Sequence, residues 1–284
     1  MLGFISGKYD ILRGEDLAKL DRAIQENMLK GNKYFALAIY DDDLCYQLGL
    51  DKPIKSLEDR LKIAERLSGV DFVFSISSMD KENVENTAGL ALEGYIKELQ
   101  QKKDNDFEKK YDIVYAPGTY DLLHAGHLEN LLEAARQSKK LIVGVKSDEL
   151  VQEHKGKTPI ISAEERMDIL RHFDFVDDVY RYYTRDPHIA AAWIESKYGK
   201  KIDAIFLGSD LKEDFGHVKD IKIVFTDRTP EKMKGRSTTV LRKKISGYAG
   251  FSTIKGPNAK LQGIIKNINE HTNKELDSLE DFER

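Results

Sequence analysis

The chain has 284 residues, 40% of them hydrophobic, and a formal net charge of −4, which suits one large or two small domains with a real core. The charge excludes bulk attraction to nucleic acid, so any phosphate binding must be local. No apolar run of about 18 residues is present to span a membrane, and the N-terminus lacks the pattern of a signal peptide. The one cysteine, Cys45, cannot form an internal disulfide. Together these features predict a cytoplasmic protein with no membrane span and no nucleic-acid partner.

The first part of the chain aligns with a later part as an internal repeat. Five residues between Gly7 and Leu17 are identical to their counterparts between Gly118 and Leu128. The matches continue in the same order, and the later stretches keep a constant offset, which is the mark of a repeat. These stretches are 34–44 with 140–150, 53–60 with 159–166, and 70–74 with 176–180.

The earlier copy lacks the features of an anion site. Glu15 and Asp16 begin its first predicted helix, and two carboxylates there would repel a triphosphate. The match to the later copy also stops after Ile76. We therefore predict that residues 1–105 form a degenerate, truncated lobe with no active site.

A charged run of low hydrophobicity occupies residues 100–110. It is typical of a helix end followed by a linker, or of the solvated face of a continuing helix. Either interpretation places a domain boundary here, so we predict a second domain over residues 111–246. Residues 247–284 are predicted to be a C-terminal tail with a short amphipathic helix and a charged end, to which we assign no chemistry.

Apolar runs and helical periodicities alternate through the second domain. The predicted strands are 113–116, 141–145, 177–180, 204–207 and 222–225, and the predicted helices are 127–138, 147–153, 163–173, 188–198 and 236–246. This alternation predicts an α/β fold with a parallel sheet covered by helices on both faces. Functional sites in such folds lie at the carboxyl ends of the strands.

The decapeptide from Gly118 to His127 follows the first of these strands and enters a helix. Gly118 and Gly126 let the backbone approach a ligand closely. The unpaired N–H groups and positive end of the helix favour an anion, to which His124 and His127 can both donate. These features predict a triphosphate cradle; the alternatives are a helix cap or a metal site. A P-loop is excluded because the Gly-Lys-Ser/Thr ending is missing.

Two lysines flank a glycine in a loop of the second domain, and their side chains can reach two phosphoryl groups unless the loop is only a solvated surface. They are Lys155 and Lys157. The helix that follows is predicted to start at the N-cap residue Ser162. Arg166 lies on that helix. It could be only a helical surface charge, or it could serve the fold, because Arg60 occupies the aligned position of the earlier copy.

Two further stretches carry polar groups towards the predicted edge. Gly208 allows close approach of a ligand, and Asp210 can accept from a base amino group or a sugar hydroxyl, although both also suit an ordinary turn. Arg181 or Arg185 could hold an acceptor phosphate, and three nearby tyrosines could surround a quaternary ammonium. An amphipathic strand end explains this second stretch equally well.

The decapeptide resembles the HxGH signature of the cytidylyltransferase family, part of the nucleotidyltransferase superfamily with a Rossmann-like fold. Arg228-Thr229 and Ser237-Thr238-Thr239 are similar to that family's Arg-Thr-x-Gly-x-Ser-Thr-Thr signature, with extra residues between them. The resemblance covers residues 111–246. It implies a Rossmann-like parallel-sheet domain, preceded by a degenerate, truncated copy of the same fold.

The resemblance also implies roles for individual residues. The implied catalytic residues are His124, His127, Lys155 and Lys157, with Lys155 on the acceptor phosphate and Lys157 on the nucleotide. The implied nucleotide-binding residues are Gly118, Thr119, Tyr120, Gly126, Gly208, Asp210, Arg228, Thr229, Ser237, Thr238 and Thr239. Arg166 would organise the phosphate-binding groups from behind. The implied acceptor-binding residues are Lys155, Arg181 and Arg185, and Asp121 would ligate Mg²⁺ beside the phosphates.

Such a site implies transfer of a cytidylyl group from CTP to a small phosphorylated alcohol, with glycerol 3-phosphate as the best match, giving a CDP-alcohol and pyrophosphate. Choline-phosphate and ethanolamine-phosphate cytidylyltransferases and related adenylyltransferases share most of the signature, so they stay as alternatives. A nucleotide-binding scaffold is the alternative without catalysis. Similar single-lobe enzymes are dimers, so we expect a homodimer or an intramolecular pseudo-dimer through the N-terminal lobe.

Overall fold

The computed structural model describes residues 2–101, 109–208, 220–226 and 238–249. The elements of the first lobe are β1 (Leu2–Gly7), α1 (Gly14–Leu29), β2 (Tyr34–Tyr40), α2 (Asp42–Gln47), α3 (Leu57–Ala64), β3 (Phe72–Ile76) and α4 (Lys81–Gln101). Its strands form a parallel sheet in the order β1-β2-β3.

The second lobe contains a larger parallel sheet. Its elements are β4 (Tyr111–Gly118), α5 (Ala125–Gln137), β5 (Ser138–Lys146), α6 (Asp148–Lys155), α7 (Ala163–Arg171), β6 (Asp178–Tyr182), α8 (Pro187–Tyr198), β7 (Ala204–Gly208), β8 (Ile223–Thr226) and α9 (Thr238–Ala249). The strand order is β6-β5-β4-β7-β8, and all neighbours run parallel. The predicted α/β fold is confirmed, and the central strand β4 leads directly into the decapeptide.

Burial and capping explain why these residues form these elements. Residues 113–116 and 141–145 are buried, as expected for central strands covered on both faces. Ser162 accepts a hydrogen bond from the Glu165 N–H (3.3 Å), so it is the N-cap of α7 as predicted. Helix α7 ends at Arg171, two residues before the predicted end, because the backbone of residues 172–174 pairs with the first lobe instead.

The two sheets fit a repeated copy of one arrangement. The order β1-β2-β3 corresponds to β4-β5-β6, and the intervening helices α1, α2 and α3 correspond to α5, α6 and α7. The first lobe continues from β3 into the long helix α4, whereas the second continues from β6 to the further strands β7 and β8. The earlier copy therefore has the shorter sheet that its sequence predicts.

The lobes contact each other through aligned positions. Leu67 and Phe173, which align in the repeat, form an antiparallel bridge. The Ser68 N–H donates to the His172 carbonyl (2.6 Å), and the Asp174 N–H donates to the Arg66 carbonyl (3.2 Å). Because 66 aligns with 172 and 68 with 174, the two bonds exchange under a local twofold axis. This is the geometry of an isologous dimer interface.

One hydrophobic cluster crosses this contact. It includes Leu17 and Leu67 from the first lobe and Leu131, Ile169 and Phe173 from the second. Helix α1 contacts α7, and α3 contacts α5, which are equivalent pairs in the two copies. The first lobe thus buries an apolar face of the second.

The predicted domain boundaries lie partly outside the described residues. Helix α4 extends to Gln101, so the charged run begins inside a helix, but residues 102–108 are not described. Helix α9 reaches Ala249, three residues past the predicted domain end, and the tail from 250 onwards is not described. None of the helices in the described part of the chain combines the length and apolar character that crossing a bilayer requires.

We expect the interlobe face to be essential for stability. Leu67→Glu places a carboxylate at a position that is 1% exposed, and should lower the free energy of unfolding by at least about 3 kcal/mol. Leu29→Glu, at a position that is 88% exposed, is the matched control and should change it little. Urea denaturation measures both variants.

Deletion of residues 1–105 tests the same face on a larger scale. The remaining lobe would expose the apolar residues that the first lobe covers, so it should aggregate or dimerise in size-exclusion chromatography with light scattering. A monomeric, fully active fragment would show that the second lobe does not need this cover.

Candidate active site

The turn after β4 has a strained backbone, and the aligned turn of the first lobe has the same strain at its tyrosine. Tyr120 and Leu122 have positive φ values of 55° and 49°, and Tyr9 in the first lobe has 45°. The buried Tyr120 ring folds back, and its hydroxyl donates to the Ala116 carbonyl (3.0 Å). The turn is therefore held closed from inside.

The conformation of this turn gives a reason for glycine at position 118 other than close approach to a ligand. A Cβ atom added at Gly118 would lie 2.6 Å from the Tyr120 ring, and one added at Gly7 would lie 2.8 Å from the Tyr9 ring. Both glycines make room for a tyrosine, including in the first lobe, where the helix after the turn begins with Glu15 and Asp16. The tyrosine ring is thus sufficient by itself to require glycine at 118, and the enclosed Tyr120 ring has a structural role; the nucleotide-binding roles of Gly118 and Tyr120 stay predictions.

The two histidines of the decapeptide lie together at the start of α5. His124 is the N-cap residue and is 2% exposed, and His127 lies in the first turn. Their rings stack with centroids 3.8 Å apart, and the Tyr120 ring meets His127 edge-on at 5.3 Å. The first turn of α5 carries no acidic residue, whereas that of α1 carries Glu15 and Asp16. The imidazole pair and the helix N-terminus therefore coincide, which favours an anion.

Asp121 has a structural set of partners. Its carboxylate accepts from the N–H groups of Ile160 (3.1 Å) and Ile161 (3.0 Å), and from the Arg242 guanidinium (2.6 Å). Asp10 in the first lobe accepts from two aligned N–H groups in the same way. Asp121 is only 2% exposed, so its oxygens are already used and do not fit the predicted role of a metal ligand. Within the described ranges, no three His, Cys, Asp or Glu residues are grouped so that they could hold a metal ion.

Arg166 is buried and binds the backbone at the carboxyl edge of the sheet. Its guanidinium donates to the carbonyls of Ile161 (2.9 Å), Lys146 (2.9 Å) and Thr119, and pairs with Asp148. It thus ties the decapeptide to the ends of β5 and the start of α6.

Arg60 makes the equivalent contacts in the first lobe. It donates to the carbonyls of Lys8 and Tyr40, and pairs with Asp42 (2.6 Å). Of the two interpretations that the sequence left open, the structure favours service to the fold. Arg166 can still organise Thr119 for a ligand, but only through the backbone.

The lysine loop lies between α6 and α7. Lys155 is the exposed last residue of α6, which ends at Gly156 in the left-handed conformation (φ 62°), and Lys157 is half-buried in the loop beyond. The Thr158 carbonyl in this loop accepts from Arg242 on α9 (3.0 Å). Helix α9 therefore ties the lysine loop to Asp121 at the decapeptide.

The start of α9 contacts the decapeptide as well. The Thr238 hydroxyl donates to the Asp121 carbonyl (3.2 Å), and Thr239 is exposed beside it. Arg242, one turn further along, joins Asp121 to the lysine loop and was missed in the sequence. The i, i+4 spacing from Thr238 was the one available signal, because it places both side chains on one helix face.

Some of the remaining predicted site residues lie in the part of the chain that the structure describes, and others lie outside it. Gly208 is buried at the end of β7, the neighbour of β4, so it lies at the same sheet edge. Arg181 on β6 pairs with Glu164, and Arg185 is exposed after the strand. The predicted residues that lie outside the described ranges are Asp210, Arg228, Thr229 and Ser237.

Comparison with known proteins finds one matching family and several similar proteins. Residues 115–255 match the family described as cytidylyltransferase-like. The chain is 36% identical over 140 residues to the bifunctional protein HldE of Wolinella succinogenes, which covers 48% of this chain and 27% of the relative.

Two other relatives have names that specify a product or an acceptor. A probable ethanolamine-phosphate cytidylyltransferase of Encephalitozoon cuniculi is 30% identical over 116 residues, 40% of this chain and 34% of the relative. An FAD synthase of Pyrococcus abyssi is 44% identical over 66 residues, 23% of this chain and 45% of the relative. The matched region therefore spans less than half the length of each of these relatives.

We expect Gly118→Ala and Gly7→Ala to destabilise the protein by similar amounts. Each new methyl group collides with a tyrosine ring, and such overpacking typically costs about 1–3 kcal/mol. Urea denaturation measures the loss, with Gly14→Ala as the control because nothing lies near its added Cβ atom. A Gly118→Ala variant of normal stability but weakened nucleotide binding would contradict this explanation.

Proposed function

We propose that this chain, whose residues 115–255 belong to the cytidylyltransferase-like family, transfers a nucleotidyl group to a small phosphorylated acceptor. The observation that carries the proposal is the stacked pair His124 and His127 at the N-terminus of α5. The lysine loop and the start of α9 meet the same turn through Arg242. The imidazole pair and the N-termini of α5 and α9 lie at this turn, and we expect the ammonium groups of the lysine loop to join them in neutralising a triphosphate.

The preferred donor and acceptor are CTP and a phosphorylated alcohol, with glycerol 3-phosphate first. The family resemblance supports CTP, and the name of the Encephalitozoon relative combines a cytidylyl donor with a phosphorylated amino alcohol. The FAD synthase relative, whose product contains adenine, keeps ATP as the alternative donor. Choline phosphate and ethanolamine phosphate are the alternative acceptors.

The reaction needs little covalent work from the protein. An oxygen of the acceptor phosphate forms a bond to the α-phosphorus, and the bond from that phosphorus to the bridging oxygen breaks. The electron pair leaves with pyrophosphate. Because the acceptor phosphate is already anionic, no general base is required. Catalysis then consists of alignment and of charge stabilisation by the histidines together with Lys155 and Lys157.

Mg²⁺ remains a prediction from the family resemblance. Asp121, the residue predicted to bind it, uses its carboxylate for two backbone N–H groups and Arg242, so the residues present do not fit the ion. We therefore derive no step through a metal.

We further propose that the first lobe is a repeat without an active site, and that it takes the place of a dimer partner. Arg13 occupies the position of His124 and points to the second lobe, where it pairs with Glu165 (3.4 Å). The apolar cluster shared by the lobes supports an intramolecular pseudo-dimer over a homodimer through the same face.

A pyrophosphate-release assay tests the activity. CTP and ATP are each combined with glycerol 3-phosphate, choline phosphate, ethanolamine phosphate and riboflavin phosphate, and turnover should be fastest with CTP and glycerol 3-phosphate. Turnover only with ATP would move the chain to the adenylyltransferases. Nucleotide binding without turnover in any pair would favour the scaffold.

His127→Ala should lower kcat by about 10²–10³-fold, the usual cost of removing one donor to a developing charge. Asp16→Ala is the matched control, because it changes the aligned position of the first lobe and should leave kcat within about twofold. Initial rates with the best pair from the assay give the comparison. Unchanged product formation by His127→Ala would refute the proposed site.

A further inference from the structure

One ion pair crosses the interface between a helix start in each lobe. Arg13, the N-cap residue of α1, donates to the carboxylate of Glu165 in the first turn of α7 at 3.4 Å. The side chains are 22% and 36% exposed, so the pair is partly shielded from water. It joins the edges of the two lobes that carry the β-strand carboxyl ends.

The repeat gives this pair a counterpart. Arg13 aligns with His124, and Glu165 aligns with Asp59, since Arg60 and Arg166 are aligned and make equivalent contacts. The local twofold axis that exchanges the two backbone bonds at the interface also exchanges α1–α7 with α3–α5. Applied to the Arg13–Glu165 pair, the same axis relates it to Asp59 of the first lobe and His124 of the second.

Packing between α3 and α5 agrees with this placement. Ile63, one helical turn after Asp59, lines a small interface cavity together with Leu123, the residue that precedes His124. Their aligned partners Ile169 and Leu12 line the same cavity, so it lies on the local twofold axis. Asp59 and His124 are 5% and 2% exposed, so both side chains are buried.

We propose that Asp59 is a positioning residue for His124, supplied by the first lobe to the active site of the second. A buried carboxylate beside an imidazole fixes the orientation and tautomer of the ring and favours its charged form. A charged His124 would neutralise phosphate more strongly than a neutral one. The catalytic benefit rests on the proposed function, whereas the relation between Asp59 and His124 does not.

Lys55 offers Asp59 a second partner, which defines the competing explanation. Burial lowers the pKa of Lys55 to about 8, while the carboxylates of Asp10 and Asp59 act in the opposite direction. A purely structural Asp59 would only balance this ammonium. Besides Asp59, the charged or titratable groups in this region include His127 on α5 and, at the first-lobe side of the cavity, Lys55, Asp10 and Tyr9. The cations Arg60 and Lys8 also act on Lys55, and both lower its pKa.

Asp59→Asn in the full-length chain separates the two explanations. We expect the variant to lower the pKa of His124 by about one unit, measured by NMR on histidine-labelled protein with His124→Gln to assign the signal. With the best pair from the pyrophosphate assay, kcat should fall about tenfold with little change in KM. Glu165→Gln is the matched control: it removes the aligned carboxylate and should leave the pKa of His124 unchanged.

The double variant Lys55→Met/Asp59→Asn removes both buried charges. If Asp59 only balances Lys55, this variant should restore both stability and the wild-type pKa of His124. If Asp59 positions His124, stability should recover while the pKa of His124 stays low. Asp59→Glu keeps the charge and should rescue at least part of the pKa and of kcat.

The proposal fails if the pKa of His124 is the same in Asp59→Asn as in the wild type. If Asp59→Asn does not fold, the wild-type titration decides alone: a pKa for His124 at or below about 6.5 would overturn the proposal. A shifted pKa in a protein that turns over no substrate pair would defeat the proposed function and leave this inference intact. Turnover by the wild type, with no change in the pKa of His124 in Asp59→Asn, would support the proposed function and defeat this inference.

Discussion

Two buried guanidinium groups hold the carboxyl edges of the two sheets. An arginine taken out of water is costly unless its donors are satisfied. Arg166 meets that cost with three carbonyls and Asp148. Arg60 meets most of it with two carbonyls and Asp42, although its buried Nε makes no hydrogen bond within the described part of the chain. The partners lie on different strands and loops, so each guanidinium fixes the relative position of segments that are far apart in the sequence. The decapeptide has one defined shape because one of its carbonyls is among these partners.

The two lobes act as an internal control that separates fold from chemistry. The first lobe keeps Gly7, Tyr9, Asp10 and Arg60, although it has acidic residues where an anion site needs positive charge. These positions must therefore serve the shape of the turn. Their counterparts in the second lobe need no further function to explain them.

The positions that differ between the lobes are the ones to which the proposed function assigns the chemistry. His124, His127, Lys155 and Lys157 are matched in the first lobe by an arginine, an aspartate, a glycine and a further aspartate. The proposed electropositive notch therefore belongs to the second lobe, and the aligned positions of the first lobe do not reproduce these side chains. Family resemblance alone would have assigned nucleotide binding to both classes of residue.

Most of the second sheet could be predicted because its signals are local. Apolar runs and the Ser162 cap depend on residues close in sequence, and they give the strands and helix starts to within a few residues. The role of Gly118 could not be found in this way, because it requires Tyr120 to adopt a positive φ and fold back. Arg242 and the partners of Asp121 depend on segments about 40 to 120 residues apart. The i, i+4 spacing of Thr238 and Arg242 puts them on one helix face but does not show what that face contacts.

The interface explains why a lobe without a site would keep its fold. If the first lobe only covered an apolar face, its helix starts could vary freely at the carboxyl edge. Instead Arg13 reaches Glu165 across the contact, and the cavity beside Leu123 is lined by aligned residues from both lobes. An interface that keeps its twofold character at the edge of the active site constrains the position of α5 itself. Under the proposed function, the first lobe helps to set where the histidines stand, and we expect its loss to disturb the proposed site as well as the surface.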